Sequence, residues 1–198
     1  MNFSLIWLCR FFRFGRSGLP GRLAGVLLLA TWALLVCTDA WSQTVREQIG
    51  LLGMTHEQLA PRLAGAQPVR APRRLSSGAV GSWRVPDALC EGIHFEKTLF
   101  FARQKLEQMD LVLLQAGHNL AAGDAAAVRT AYAGLVQSLR AQFGAELASS
   151  ASTPELVMDT ASWVSGGADV MLFFSGKPDH PTLRLVIRQR QLVDAGEL

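Results

Sequence analysis

The sequence predicts an α+β fold: helices packed on one face of an antiparallel sheet, in two tandem helix-plus-meander units. Three observations predict it. From Asp124 to about Phe143, Val128, Tyr132, Leu135, Val136, Leu139 and Phe143 fall on one helical face. The stretches 93–114 and 156–191 hold short apolar runs, rich in β-branched and aromatic residues and bounded by turn residues. The chain also repeats itself in order: Gly65, Ser82-Trp83 and Leu99-Phe100-Phe101 recur as Gly144, Ser162-Trp163 and Leu172-Phe173-Phe174. A length of 198 residues, 49% hydrophobic, suits one compact domain of two small units, set at 43–118 and 119–198.

Residues 1–42 read as an address rather than as fold. Arg10, Arg13, Arg16 and Arg22 precede an apolar run from Leu23 to Cys37. That run is shorter than the roughly 20 residues needed to cross a bilayer and fits the h-region of a secretory signal. Ala40-Trp41-Ser42 is a cleavage triplet that leaves Gln43 first; Thr38-Asp39-Ala40 is a second candidate. Two alternatives stay open. Residues 19–37 could be retained as an inner-membrane anchor. Cys37, preceded by Val36, could carry a lipid.

The body then unfolds in order. Residues 45–52 suggest a short helical turn. In Gly53-Met54-Thr55-His56-Glu57-Gln58-Leu59, Thr55 and Gln58 have the spacing of a capping box. Leu59 and Leu63 follow on one face, and Gly65 ends the helix. Residues 66–81 form a loop carrying Arg70, Arg73 and Arg74, a contact surface for an acidic partner. A strand over 82–85 is interrupted at Pro86. Strands follow at Ile93–Ala102 and Leu106–Leu114, around a turn at 103–105. A helix over 96–114 is the alternative; Gly176, Pro178 and Pro181 in the matching part of the second half favour strands. After the second helix, Gly144 supplies a stop, and strands follow at 156–164, 168–174 and 182–191. The last puts Leu183, Leu185 and Ile187 on one face.

Charge and motif narrow the chemistry. The formal charge is +3, yet residues 43–198 hold 15 basic and 15 acidic side chains, so the excess sits in the leader. A neutral body lacks the footprint expected of a nucleic-acid binder. No zinc motif, nucleophile elbow, phosphate loop or dinucleotide fingerprint occurs, and neither cofactor nor metal is expected. His94 and Glu96 share a strand face, a weak acid–base or metal hint. Cys90 is the body's single cysteine, so it is either packed or bridges to another chain. Trp83 and Trp163 suit either a core or a contact surface. Phe100-Phe101 and Phe173-Phe174 should each leave one ring on each sheet face, making Phe101 a candidate contact.

The segment Gly53 to Leu59 resembles the start of the SmpA/OmlA family, small outer-membrane lipoproteins of the β-barrel assembly machinery, with a β-lactamase-inhibitor-protein-like fold. Matched positions are Gly53, Met54, Thr55, Gln58 and Leu59; the family's chain is shorter, with one unit. The expectation is an exported bacterial envelope protein, periplasmic after cleavage near Ser42. It would be a non-catalytic interaction or assembly module for an envelope protein partner. Membrane contact is expected only through an uncleaved N-terminal segment. Its partner-binding residues would be Arg70, Arg73, Arg74, Phe101 and Trp83. The alternatives are an inhibitor of a secreted enzyme and a small envelope hydrolase.

Overall fold

Thr44 and Thr55 open the first two helices in the same way. The Thr44 hydroxyl accepts from the Glu47 amide (3.3 Å), and the Glu47 carboxylate accepts from the Thr44 amide (2.9 Å). Thr55 and Gln58 form the same reciprocal box at 3.4 and 3.0 Å. Both helices stay short: α1 is Val45–Ile49 and α2 is His56–Leu59, extended by a 3₁₀ turn at Ala60–Arg62. Gly50, Gly53 and Pro61 punctuate this stretch, and Gly53 takes a φ of +80° that only glycine adopts freely. Its amide donates to Leu106 O at 2.8 Å, tying the helical segment to the sheet.

The computed structural model describes residues 43–63, 65–114, 125–151, 158–177 and 180–191, all in a compact unit spanning Ala40–Leu198. The leader with its cleavage sites, the Asp124 cap and the boundary at 118 lie outside the described residues. The strands are β1 (Gln67–Pro68), β2 (Val80–Cys90), β3 (Ile93–Ala102), β4 (Lys105–Leu113), β5 (Ala148–Ser150), β6 (Met158–Ser165), β7 (Ala168–Lys177) and β8 (His180–Gln189). They form one antiparallel sheet in the order β1-β2-β3-β4-β8-β7-β6-β5. Among the described residues one helix of substantial length, α3 (Ala125–Phe143), accompanies it.

This architecture corrects the expected fold class. The fold is dominated by a single eight-stranded sheet, not by helices layered on the sheets of two units. The physical reason lies in both halves of the pattern. Glycine and proline break the first half's helical stretch into single turns. The strands, by contrast, run long: β2 continues straight through Pro86, absorbing it in a register shift between Val85 and Ala88. The two meanders then fuse through β4 and β8, with Met109 opposite Ile187 and Leu111 opposite Leu185.

The core lies on one face of this sheet. Phe95, Leu99, Met109, Leu111 and Leu113 from the first meander join Trp163, Val170, Leu172, Phe174, Leu183, Leu185 and Ile187 from the second. Val128, Leu135 and Leu139 of α3 close over them. The Trp163 indole N–H donates to Gly144 O at 3.1 Å, so the buried ring has a polar partner and pins the helix end to β6.

The register also overturns the residue-for-residue matching of the halves. Trp163 lies opposite Val170, the second inward residue-pair from the Gly166–Gly167 turn. The corresponding place beside the Glu91–Gly92 turn, opposite Phe95, belongs to Ala88. Trp83 sits farther along β2, opposite Leu99, where the second half has Asp159 opposite Phe174.

Candidate binding groove

The outer face of the first meander is where polar chemistry gathers. Strand alternation puts Glu96, Thr98 and Phe100 of β3 there, with Gln108, Asp110 and Val112 of β4 and Arg184 of β8. Arg84 of β2 joins them through its 3.4 Å contact to Glu96.

The segment 67–81 is folded back across this face. Val69 N donates to Ser82 O (2.9 Å), Gly81 N to Arg73 O (2.8 Å) and Leu75 N to Ala79 O (2.8 Å). The turn is closed at Gly78, whose φ is +86°. Arg73 then reaches over Phe100, 5.2 Å from the ring centroid, to Asp110 on β4. Gly81 makes this approach possible: a Cβ there would stand 2.8 Å from Phe100 Cε1. Gly81→Ala should therefore cost about 1–3 kcal/mol by overpacking, read as a lowered urea midpoint at unchanged m-value.

Asp110 is the hub. Its carboxylate is only 2% exposed. Oδ2 accepts from Arg73 Nη2 (2.7 Å) and Arg184 Nη2 (2.5 Å), and Oδ1 accepts from Gln108 Nε2 (2.7 Å). The ion pairs fix two guanidinium groups side by side while leaving both partly exposed. Around them lies a groove of about 730 Å³, bordered by Arg70, Arg73, Arg84 and Arg184 and floored in part by Thr98 and Val112.

The five expected contact residues are distributed unevenly. Arg70 and Arg73 line the groove. Arg74 turns into its own loop, donating to Gly78 O at 3.1 Å. Phe101 is no surface contact: it is 6% exposed, with the His56 ring stacked on it at 3.6 Å. Trp83 is half-buried, edge-on to His56 at 4.9 Å, and braces the same cluster. His56 also meets Ser82 Oγ at 3.0 Å, and burial lowers its pKa. The expectation of one exposed ring per phenylalanine pair thus fails in the first half. Phe100 on the outer face is covered by Arg73 and the folded-back segment, and Phe101 by His56.

His94 and Glu96 do not act together. His94 Nδ1 contacts Asp87 Oδ1 at 2.6 Å, while Glu96 faces Arg84. Among the described residues no group of three or more His, Cys, Asp or Glu could hold a metal ion.

A second polar cluster lies on the core side. Lys97 points inward between Phe95 and Leu99, and its ammonium donates to Gln48 Oε1 at 3.2 Å. Burial pushes its pKa down to about 8. Cys90 is fully buried nearby, and burial, followed by the charge of Glu91, pushes its thiol up to about 12. Glu91 stands at the turn with a φ of +51°. It accepts from Val45 N, Gln142 Nε2 and Ser138 Oγ at 2.8, 2.8 and 2.6 Å, joining α1 and α3 to the sheet. This makes Cys90 a packed thiol with depressed reactivity.

Asp110, Arg84, Arg184 and Lys97 were not singled out by sequence reasoning. The strand alternation at 182–191 does set Arg184 on the polar face, and the alternation Phe95, Lys97, Leu99 does set a lysine on an apolar one. A scan of family models, a search of curated proteins and a search of solved structures found no match to this chain. Among the described residues no helix is long and apolar enough to cross a membrane.

Proposed function

We propose that this protein is an exported envelope protein that works by protein–protein contact, without catalysis, and that the arginine-bordered groove is its contact surface. One observation carries the reading. The sheet's inner face is packed with core side chains, while its outer face holds a concave site bordered by four arginines, two of which, Arg73 and Arg184, are fixed by an internal carboxylate. Such a site has hydrogen-bond donors aimed outward and already positioned, which lowers the ordering cost of binding. Histidine, cysteine and serine are missing from its lining, and its two carboxylates, Glu96 and Asp110, are both engaged by arginine. That composition suits recognition better than nucleophilic or acid–base chemistry. The leader's charged and apolar segments support export, and the Gly53–Leu59 segment supports an envelope setting.

The test is crosslinked affinity capture of the C-terminally tagged protein from the cells that make it. An Arg84→Ala, Arg184→Ala chain serves as the paired control. A specific envelope protein recovered with the native chain and lost with the double variant is the expected result. The same proteins recovered from both chains would remove the groove from the account.

A further inference from the structure

Resting on that reading, we propose that the groove's occupant is an extended acidic protein segment, gripped through its side-chain carboxylates. The groove itself already shows the mode of recognition. Asp110 is a carboxylate held by two arginines at 2.7 and 2.5 Å, on the strand that floors the site. Each guanidinium carries five N–H donors, and each uses one Nη2 on Asp110. Donors therefore remain on the partly exposed sides of both groups. Arg84 is only loosely engaged, at 3.4 Å from Glu96. Arg70 lines the same groove and pairs with no carboxylate among the described residues. Four guanidinium groups thus face two carboxylates, and the site is net positive within a body whose charges sum to zero.

Size and floor favour a peptide over a small anion or a polyphosphate. A volume of about 730 Å³ falls in the ~300–1,000 Å³ range of sites that enclose a ligand of many atoms. Val69, Ala71 and Val112 add apolar lining; Val112 is 41% exposed, and a peptide's aliphatic stems would cover it. Glu96 and Asp110 would repel a densely charged phosphate chain, whereas carboxylates spaced along a backbone can avoid them.

The experiment is a titration of fluorescein-labelled hexa-glutamate and hexa-glutamine with the tagged protein purified from the cells that make it, read by anisotropy. The expected result is binding of hexa-glutamate alone, weakening about tenfold between 50 and 300 mM salt. Arg70→Glu and Arg84→Ala should each weaken it at least about fivefold, with an unchanged thermal midpoint, since both side chains lie at the surface. Sodium phosphate at millimolar concentration should leave the peptide bound. Equal affinity for the two peptides overturns the proposal, as does binding indifferent to both substitutions. Displacement by phosphate overturns it in favour of a small-anion site. Loss of hexa-glutamate binding alongside arginine-dependent capture would sink the acidic segment alone. Arginine-independent capture would sink the contact surface as well.

Discussion

Replacing Lys97 with methionine raises the stability of this fold at pH 7 by on the order of 1–3 kcal/mol. The lysine is 2% exposed, and among the described residues its ammonium has a single hydrogen-bond partner, Gln48. Methionine has a similar length and no charge to desolvate; leaving Gln48 Oε1 without its donor costs about 1 kcal/mol in return. The sign with pH follows from linkage. Lys97 falls from its ordinary 10.5 to about 8 in the folded chain. Between those values the unfolded chain binds more protons, so stability rises as pH increases above 8. Cys90 acts oppositely: its thiol rises from 9.0 to about 12, so the unfolded chain loses its proton first and stability falls above pH 9. The native protein should therefore gain stability from pH 8 to 9 and level off. Lys97→Met should be flat up to pH 9 and decline beyond it. Urea midpoints at pH 7, 8, 9 and 10 separate the two curves. A methionine variant less stable than the native chain at pH 7 would contradict this picture of the buried lysine.

Asp110→Asn should lower stability by about 1–3 kcal/mol and loosen the segment 67–81. The buried carboxylate is the point at which that segment, through Arg73, is fastened to β4 and β8. Both arginines are partly exposed and can be hydrated once released, which keeps the cost below that of an enclosed pair. Trypsin gives the local readout, because Arg70, Arg73 and Arg74 are its targets in this stretch. Faster cleavage there, relative to Arg84→Ala, is expected. An unchanged cleavage rate would mean that the backbone bonds of the 73–81 turn, and not Asp110, hold the segment down.

The elements legible in the sequence are those whose pattern is local. The apolar face of α3 is read from a 3.6-residue period, and its end from Gly144, which takes a φ of +86°. The hairpins at 103–104 and 166–167 are marked by turn residues between β-rich runs, whereas the one at 91–92 was hidden behind the expected break at Pro86. The Thr55–Gln58 box is a four-residue signal and forms as spaced. What was not legible depends on pairing across the chain. Nothing local says that β4 joins β8, so the single sheet was hidden behind two expected units. The groove's central bonds link Asp110 to Arg73, 37 positions away, and to Arg184, 74 positions away. Phe101 was misplaced because alternation does not say which strand face meets the core: it groups Phe101 with Phe95 and Leu99, that face is the buried one, and His56 stacks on the ring. Trp83 and Trp163 looked equivalent by their order in the chain, yet Trp83 stands far along β2 from the Glu91–Gly92 turn while Trp163 stands close to the Gly166–Gly167 turn, so they occupy different places in their hairpins.

The groove can be interrogated where the protein works. Val112 is exposed on its floor, and Leu147 is exposed beside β5, outside its lining. A photocrosslinking amino acid placed at either position, followed by peptide mapping of the adducts, reads contact at that point. The account predicts a Val112 adduct to one envelope protein, mapping to a run of aspartate and glutamate and lost when Arg84 and Arg184 are alanine. Leu147 should give no such adduct. Adducts at Val112 that survive those substitutions, or that match those at Leu147, would contradict a contact surface in the groove.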